Sequence, residues 1–156
     1  MEELHKVIRE IYHGNAMDMV RDYYANMVAA SETRPLIMAH FDLIIKYNAM
    51  AHFFDEEDPV YMDTALQALE ACLENGVVFE INTGAAIKKR RELPYPSPFL
   101  LRRLHELGGQ ITLNTDCHYA PVLTGKLDLA QRVAREAGFT HALQYLDGAF
   151  RSIALD

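Results

Sequence analysis

The chain has 156 residues, of which 50% are hydrophobic and 24% are charged, and its formal net charge at pH 7 is −7. This length suits one ordinary domain with a sizeable core and is too short for two. The acidic balance argues against a nucleic-acid-binding domain, which is normally basic, and no apolar run approaches the roughly 20 residues that span a bilayer. Two cysteines and an N-terminus unlike a signal peptide favour a cytoplasmic protein without a disulfide framework.

The first half of the chain shows helical periodicity on both sides of one strand pattern. Leu4, Val7, Ile8 and Ile11 recur at helical spacing and predict an amphipathic helix. The predicted elements are, in order, a helix over 2–31 interrupted at 13–15, a buried strand over 36–42, an irregular acidic stretch over 46–58 and a helix over 60–75. The acidic residues lie at the start of the last helix, where negative charge is favourable.

The second half continues this alternation. The predicted elements are, in order, a strand over 77–83, a proline-rich loop over 94–98, a helix over 98–107, a strand from 111, a helix over 126–137, a strand over 141–146 and a short tail. Ser97 is expected to cap the helix that starts with Pro98. Strands and helices that alternate at a spacing of about 35 residues predict an α/β fold with a parallel sheet.

Polar side chains follow three of the predicted strands. Because functional groups gather at the C-terminal ends of parallel strands, we expect these side chains to converge. Imidazole and carboxylate groups at one rim suit a divalent metal ion. The three pairs are His40 with Asp42, Glu80 with Asn82, and Asp116 with His118.

The last of these pairs permits two interpretations. Asp116 and His118 are two residues apart, so an extended backbone would project both side chains the same way, as metal ligands require. The alternative is a turn aspartate that caps backbone amides beside a surface histidine. Cys117, which lies between them, is expected to face the core.

Four short motifs occur in order at 39–42 (Ala-His-Phe-Asp), 80–84 (Glu-Ile-Asn-Thr-Gly), 94–97 (Pro-Tyr-Pro-Ser) and 115–118 (Thr-Asp-Cys-His). Together they resemble the histidinol-phosphatase branch of the polymerase-and-histidinol-phosphatase (PHP) superfamily of metal-dependent phosphoesterases. The resemblance runs from about Tyr12 to the C-terminus. It implies the C-terminal part of a distorted, TIM-like (β/α)7 barrel. It also implies hydrolysis of L-histidinol phosphate to L-histidinol and phosphate, a step of histidine biosynthesis.

The resemblance also implies roles for single residues. His40, Asp116 and His118 fall where the family binds Zn, Mn or Fe, and Asp116 and His118 are also the catalytic candidates. Thr115 stands where the family usually has serine. Glu80 is expected to form hydrogen bonds beneath the site rather than to bind metal.

The basic run that follows the second strand supplies candidates for phosphate binding. Lys89 and Arg90 are chosen over Lys88 and Arg91, together with Asn82 as a further substrate-binding residue. An arginine suits phosphate because its planar guanidinium can bind two oxygens. The alternative for the basic run is a solvated face of the protein.

The chain differs from the family at its N-terminal end. Family members open with a strand that carries His-x-His, whereas the only histidines before His40 are His5 and His13. Residues 1–156 are therefore expected to form a single partial domain that lacks the N-terminal βα units. Three ligands hold at most one divalent ion, and a two-metal centre needs more. The chain alone is thus expected to be inactive or weakly active.

An incomplete barrel has consequences for partners. Unpaired sheet edges and exposed apolar surface predict self-association, or pairing with the missing N-terminal part. The expected ligand is a small phosphate ester, and neither a nucleic acid nor a membrane is expected as a partner. The alternative function is a non-catalytic interaction or regulatory fragment that keeps the PHP fold.

Overall fold

Alternating strands and helices build one five-stranded sheet in the computed structural model, which describes residues 2–155. The strands are β1 (Ile37–Met38), β2 (Val78–Asn82), β3 (Ile111–Asn114), β4 (His141–Leu146) and β5 (Ala149–Ala154). They lie in the order β1-β2-β3-β4-β5. The first four are parallel, and β5 is antiparallel to β4. The predicted α/β class with a parallel sheet is confirmed.

Seven α-helices connect or flank these strands within residues 2–155. They are α1 (Glu2–Glu10), α2 (Ala16–Glu32), α3 (Asn48–Ala51), α4 (Pro59–Glu74), α5 (Gly84–Ile87), α6 (Pro98–Glu106) and α7 (Leu127–Glu136). Asn15 and Asp58 cap α2 and α4, because their side chains accept hydrogen bonds from backbone amides of the first turn. Among the described helices, none combines the length and the apolar character that crossing a membrane requires.

The hydrophobic core lies between the helices and one face of the sheet. Phe79, Ile81 and Ile111 alternate along β2 and β3 and pack with buried helix residues such as Leu69 and Leu104. Side chains alternate along a strand, so Glu80 with its partner Thr112 projects to the opposite face. This second face carries polar groups instead of a second apolar layer.

Each parallel strand pairs with the next strand in sequence. Since β-crossover-β connections are right-handed, this order places the connecting helices on the same side of the sheet. In a β/α barrel, too, each strand pairs with the next strand in sequence. The antiparallel β5 ends the parallel run, and the C-terminal part of a distorted (β/α)7 PHP barrel stays a prediction.

Three local predictions were wrong. The strand expected over 36–42 ends at Met38, and the stretch expected to be irregular holds a 3-10 helix (Leu43–Tyr47) and α3. The expected tail after Leu146 is instead β5, which pairs with β4 along its length. Asp147 and Gly148 both have positive φ angles, 51° and 82°, as the two central residues of a tight hairpin turn require. The Asp-Gly pair was the sequence signal for this hairpin.

Candidate functional site

The carboxylate of Glu80 ties together the C-terminal ends of three strands. Its Oε2 accepts hydrogen bonds from the backbone N–H of His40 and from Nδ2 of Asn82, both at 2.9 Å. Its Oε1 accepts from Nδ2 of Asn114 at 2.8 Å. Glu80 is only 4% exposed, and a buried carboxylate needs such donors to offset its lost hydration. The prediction that Glu80 forms hydrogen bonds is confirmed.

Asp116 lies close to Gly84, in the turn that follows β3. Its backbone has a φ of 49°, in the left-handed region, so the extended backbone expected over 116–118 was wrong. A Cβ atom on Gly84 would lie 3.3 Å from Oδ2 of Asp116 and 3.0 Å from Oδ1 of Asn82. The missing side chain of Gly84 therefore lets both polar groups approach the start of α5. Oδ1 of Asn82 accepts a hydrogen bond from the Gly84 N–H at 2.9 Å.

The imidazole of His118 lies close to the backbone carbonyl of Asp116. Its Nδ1 lies 2.8 Å from the carbonyl oxygen of Asp116 and 3.9 Å from Oδ1 of the same residue. The side chain of His118 is 72% exposed, so its imidazole faces solvent. Cys117 is half-buried, and its Sγ donates to the carbonyl of Tyr119 at 2.8 Å. The expectation that Cys117 is a core residue was therefore wrong.

His40 lies two residues after β1, where its backbone N–H donates to Glu80. Its Nδ1 is buried and has no hydrogen-bond partner within residues 2–155. In the same part of the chain, no three side chains of the His, Cys, Asp and Glu types are arranged to hold a metal ion. A complete metal centre thus does not fit the described residues. The role of His40, Asp116 and His118 as ligands of one ion stays a prediction.

A small cavity at the strand ends gathers positive charge around Asp116. Its lining includes Lys46, Lys88 and Arg90 as well as the buried side chains of Asn82 and Tyr95. The cavity has a volume of about 30 Å³, which admits a few oxygen atoms of a bound group and leaves the rest outside. The arrangement suits a small oxyanion held at a rim.

The basic run at 88–91 is divided between neighbouring cavities and an ion pair. Arg90 lines the strand-end cavity and a neighbouring one, which Lys89 and Lys126 also line. Phosphate binding by Lys89 and Arg90 stays a prediction. Lys88 was not chosen from the sequence and lines the strand-end cavity. Arg91 is bound elsewhere, because its Nη2 lies 2.7 Å from Oε2 of Glu56.

Lys46 was not predicted to lie at the site, because no motif or basic run surrounds it in the sequence. Asn82, a predicted substrate-binding residue, uses both ends of its amide inside the protein. It therefore shapes the wall of the cavity.

A second buried carboxylate, Asp42, supports the loop behind the site. Its Oδ2 accepts hydrogen bonds from the backbone N–H of Ser97 at 2.8 Å and from the Ser97 hydroxyl at 2.6 Å. Ser97 therefore does not cap α6 with its side chain as predicted, although it does precede the helix. Burial raises the pKa of Asp42 above its ordinary value, although the bonds from Ser97 and the charge of Arg91 act in the opposite direction.

Comparison with known proteins adds no relative. No protein-family model matches the chain, and the search of curated proteins gave no match.

We expect Glu80→Gln to lower the free energy of unfolding by about 1–3 kcal/mol, the cost of leaving a buried polar group unsatisfied. A glutamine amide nitrogen cannot accept the hydrogen bonds that one carboxylate oxygen now receives. Urea denaturation measures the change. Glu74→Gln, at an exposed position in α4, is the matched control and should change little. Equal effects of the two substitutions would contradict the role given to Glu80.

The raised pKa of Asp42 predicts a specific pH dependence of stability. A carboxyl group with a higher pKa in the folded than in the unfolded state binds its proton more tightly when folded. The free energy of unfolding therefore falls as pH rises from the unfolded-state value of about 3.9 through the folded value. Denaturation of the wild type and of Asp42→Asn from about pH 4 to pH 7 should show the wild type losing stability relative to the variant. Parallel pH profiles would refute this account.

Proposed function

We propose that this chain is the C-terminal portion of a PHP-type metal-dependent phosphoesterase and that its strand-end cavity binds the phosphate of a small ester. The observation that carries the proposal is the convergence of Lys46, Lys88 and Arg90 on the cavity that also contains Asp116. Within residues 2–155, none of the three cations lies within 4.0 Å of a carboxylate oxygen as an ion pair. Their charge is therefore available to a ligand.

The charge of the lining matches a phosphate monoester. Three cations and one carboxylate leave a formal charge of +2, which complements the dianion that a monoester carries near neutral pH. Arg90 offers a planar group that can bind two phosphate oxygens, and the lysines act as point charges. By resemblance we propose L-histidinol phosphate as the substrate, which water converts to L-histidinol and phosphate.

The chain supplies few ligands for a metal ion. A divalent ion such as Zn²⁺, Mn²⁺ or Fe²⁺ lowers the pKa of a bound water in hydrolases of this kind. The close pair Asp116 and His118 offers two ligands, and His40 adds a third only if it moves towards them. We therefore propose that the chain alone holds at most one ion and has little or no turnover, the rest of the centre coming from N-terminal βα units.

The incomplete ligand set also favours a second candidate function. A fragment that keeps the fold and the anion-binding cavity without a full metal centre suits a non-catalytic interaction or regulatory role. The sheet has two outer strands, β1 and β5, whose free edges offer pairing sites to a second copy or to the N-terminal part.

The free cysteines Cys72 and Cys117 are consistent with a reducing compartment, so we propose the cytoplasm.

Replacing the guanidinium at the cavity should weaken phosphate binding. We expect Arg90→Gln to raise the Kd for methyl phosphate about tenfold or more, since hydrogen bonds to charged groups contribute about 1.5–3 kcal/mol. Isothermal titration calorimetry measures the Kd. Arg132→Gln, at an exposed position in α7, is the matched control. The same loss in both variants would show that only the overall charge of the protein matters.

Metal titration and turnover test the enzymatic part of the proposal. We expect at most one Mn²⁺ or Zn²⁺ per chain and weaker binding in His118→Ala and in Asp116→Ala. With either metal, release of phosphate from histidinol phosphate should stay below about 1 s⁻¹, the low end for enzymes. Faster turnover, or a metal affinity unchanged by both substitutions, would contradict the proposed incomplete centre.

A further inference from the structure

An apolar groove adjoins the strand-end cavity. It lies between α1, α2 and the 3-10 helix at Leu43–Tyr47 and has a volume of about 470 Å³. Sites for small molecules usually measure about 300–1,000 Å³ and are mostly apolar with few polar groups. Residues that contribute apolar surface to it include Leu4, Tyr12, Met19, Tyr23 and Ile44.

The groove and the cavity share part of their walls. Leu43 and Lys46 line both of them, so the groove opens beside the cations. Tyr47, a further residue of the groove, lies under two of these cations. Lys46 Nζ is 5.3 Å and Arg90 Cζ is 6.0 Å from the centroid of its ring, a distance at which a cation is attracted to an aromatic face. One end of the combined site is therefore cationic.

Two polar side chains of the groove are already engaged within the protein. The hydroxyl of Tyr23 already donates to the carbonyl of Phe41 at 3.0 Å. The side chain of Asn26 likewise donates to the carbonyl of Asp22 at 2.8 Å. Methionine, leucine and isoleucine side chains supply the surface around them. A group that enters the groove gains by removing apolar surface from water rather than by hydrogen bonding.

We propose that the preferred ligands are monophosphate esters of aromatic alcohols, with the phosphate at Lys46, Lys88 and Arg90 and the ring in the groove. This inference rests on the proposed phosphate binding and not on the choice of L-histidinol phosphate, which it replaces with aromatic esters as the preferred ligands. The negative head of such an ester complements the cationic end, and its carbocyclic ring complements the apolar end. The imidazole of histidinol phosphate fills less of this space and is more polar.

The test compares 1-naphthyl phosphate, methyl phosphate and inorganic phosphate by isothermal titration calorimetry on the whole chain. We expect the naphthyl ester to bind about tenfold more tightly than the methyl ester or better, because burial of an aromatic ring removes a large apolar area from water. If all three ligands bind equally, the phosphate site stands and the groove inference falls. If none binds, the proposed function falls as well.

Substitutions in the groove locate the preference. Leu4→Gln should bring the two ester affinities to within about threefold of each other while leaving the Kd for methyl phosphate unchanged, since the apolar area is lost and the cations are retained. Leu146→Gln, an exposed position on β4, is the matched control and should keep the preference. Tyr47→Ala provides a second variant, assessed by the ratio of the two affinities, should Leu4→Gln fail to fold. A preference that survives both groove substitutions would overturn the inference.

Discussion

The buried carboxylate of Glu80 is the interaction on which the strand-end region depends. It accepts hydrogen bonds from groups that follow or end β1, β2 and β3. A buried charge of this kind is tolerated only when donors satisfy it, so the three strand ends must stay together for the fold to keep Glu80 in place. The same bond network orients Asn82, whose other amide end holds the amide of Gly84. Asn82 in turn lines the cavity that also contains Asp116.

Positive charge, rather than a complete set of metal ligands, dominates the site that results. Three cations face a single carboxylate across a small cavity, whereas the described residues hold no three-ligand group for a metal. This balance of charge supports the proposal that the chain recognises an oxyanion. The neighbouring apolar groove shares Lys46 with the cavity. It has space for the organic part of the proposed phosphate ester.

Periodicity predicted the fold class and most helices, because apolar spacing directly records which face of an element is buried. It failed where local backbone chemistry decided the structure. His40 and Asp116 adopt positive φ angles, which ended the predicted strand early and turned the chain beside β3. In the site, the hydrogen bonding of Glu80 was predicted from the resemblance, and burial of the strand explains why its carboxylate needs partners. Lys46 was not predictable, since only the tertiary fold brings it to Arg90. Ser97 was also mispredicted because of a tertiary contact. It precedes α6, but its hydroxyl donates to the buried Asp42 instead of capping the helix.

The central claim is that the C-terminal ends of the parallel strands form an anion-binding site organised by Glu80. Titration of ¹⁵N-labelled protein with inorganic phosphate, followed by two-dimensional NMR of the backbone amides, tests it most directly. The account predicts that the largest chemical-shift changes fall on residues 84–90, 46–47 and 116. Changes concentrated at the opposite end of the sheet, where a separate cavity is lined by residues 108–111 and 139–143, would contradict it.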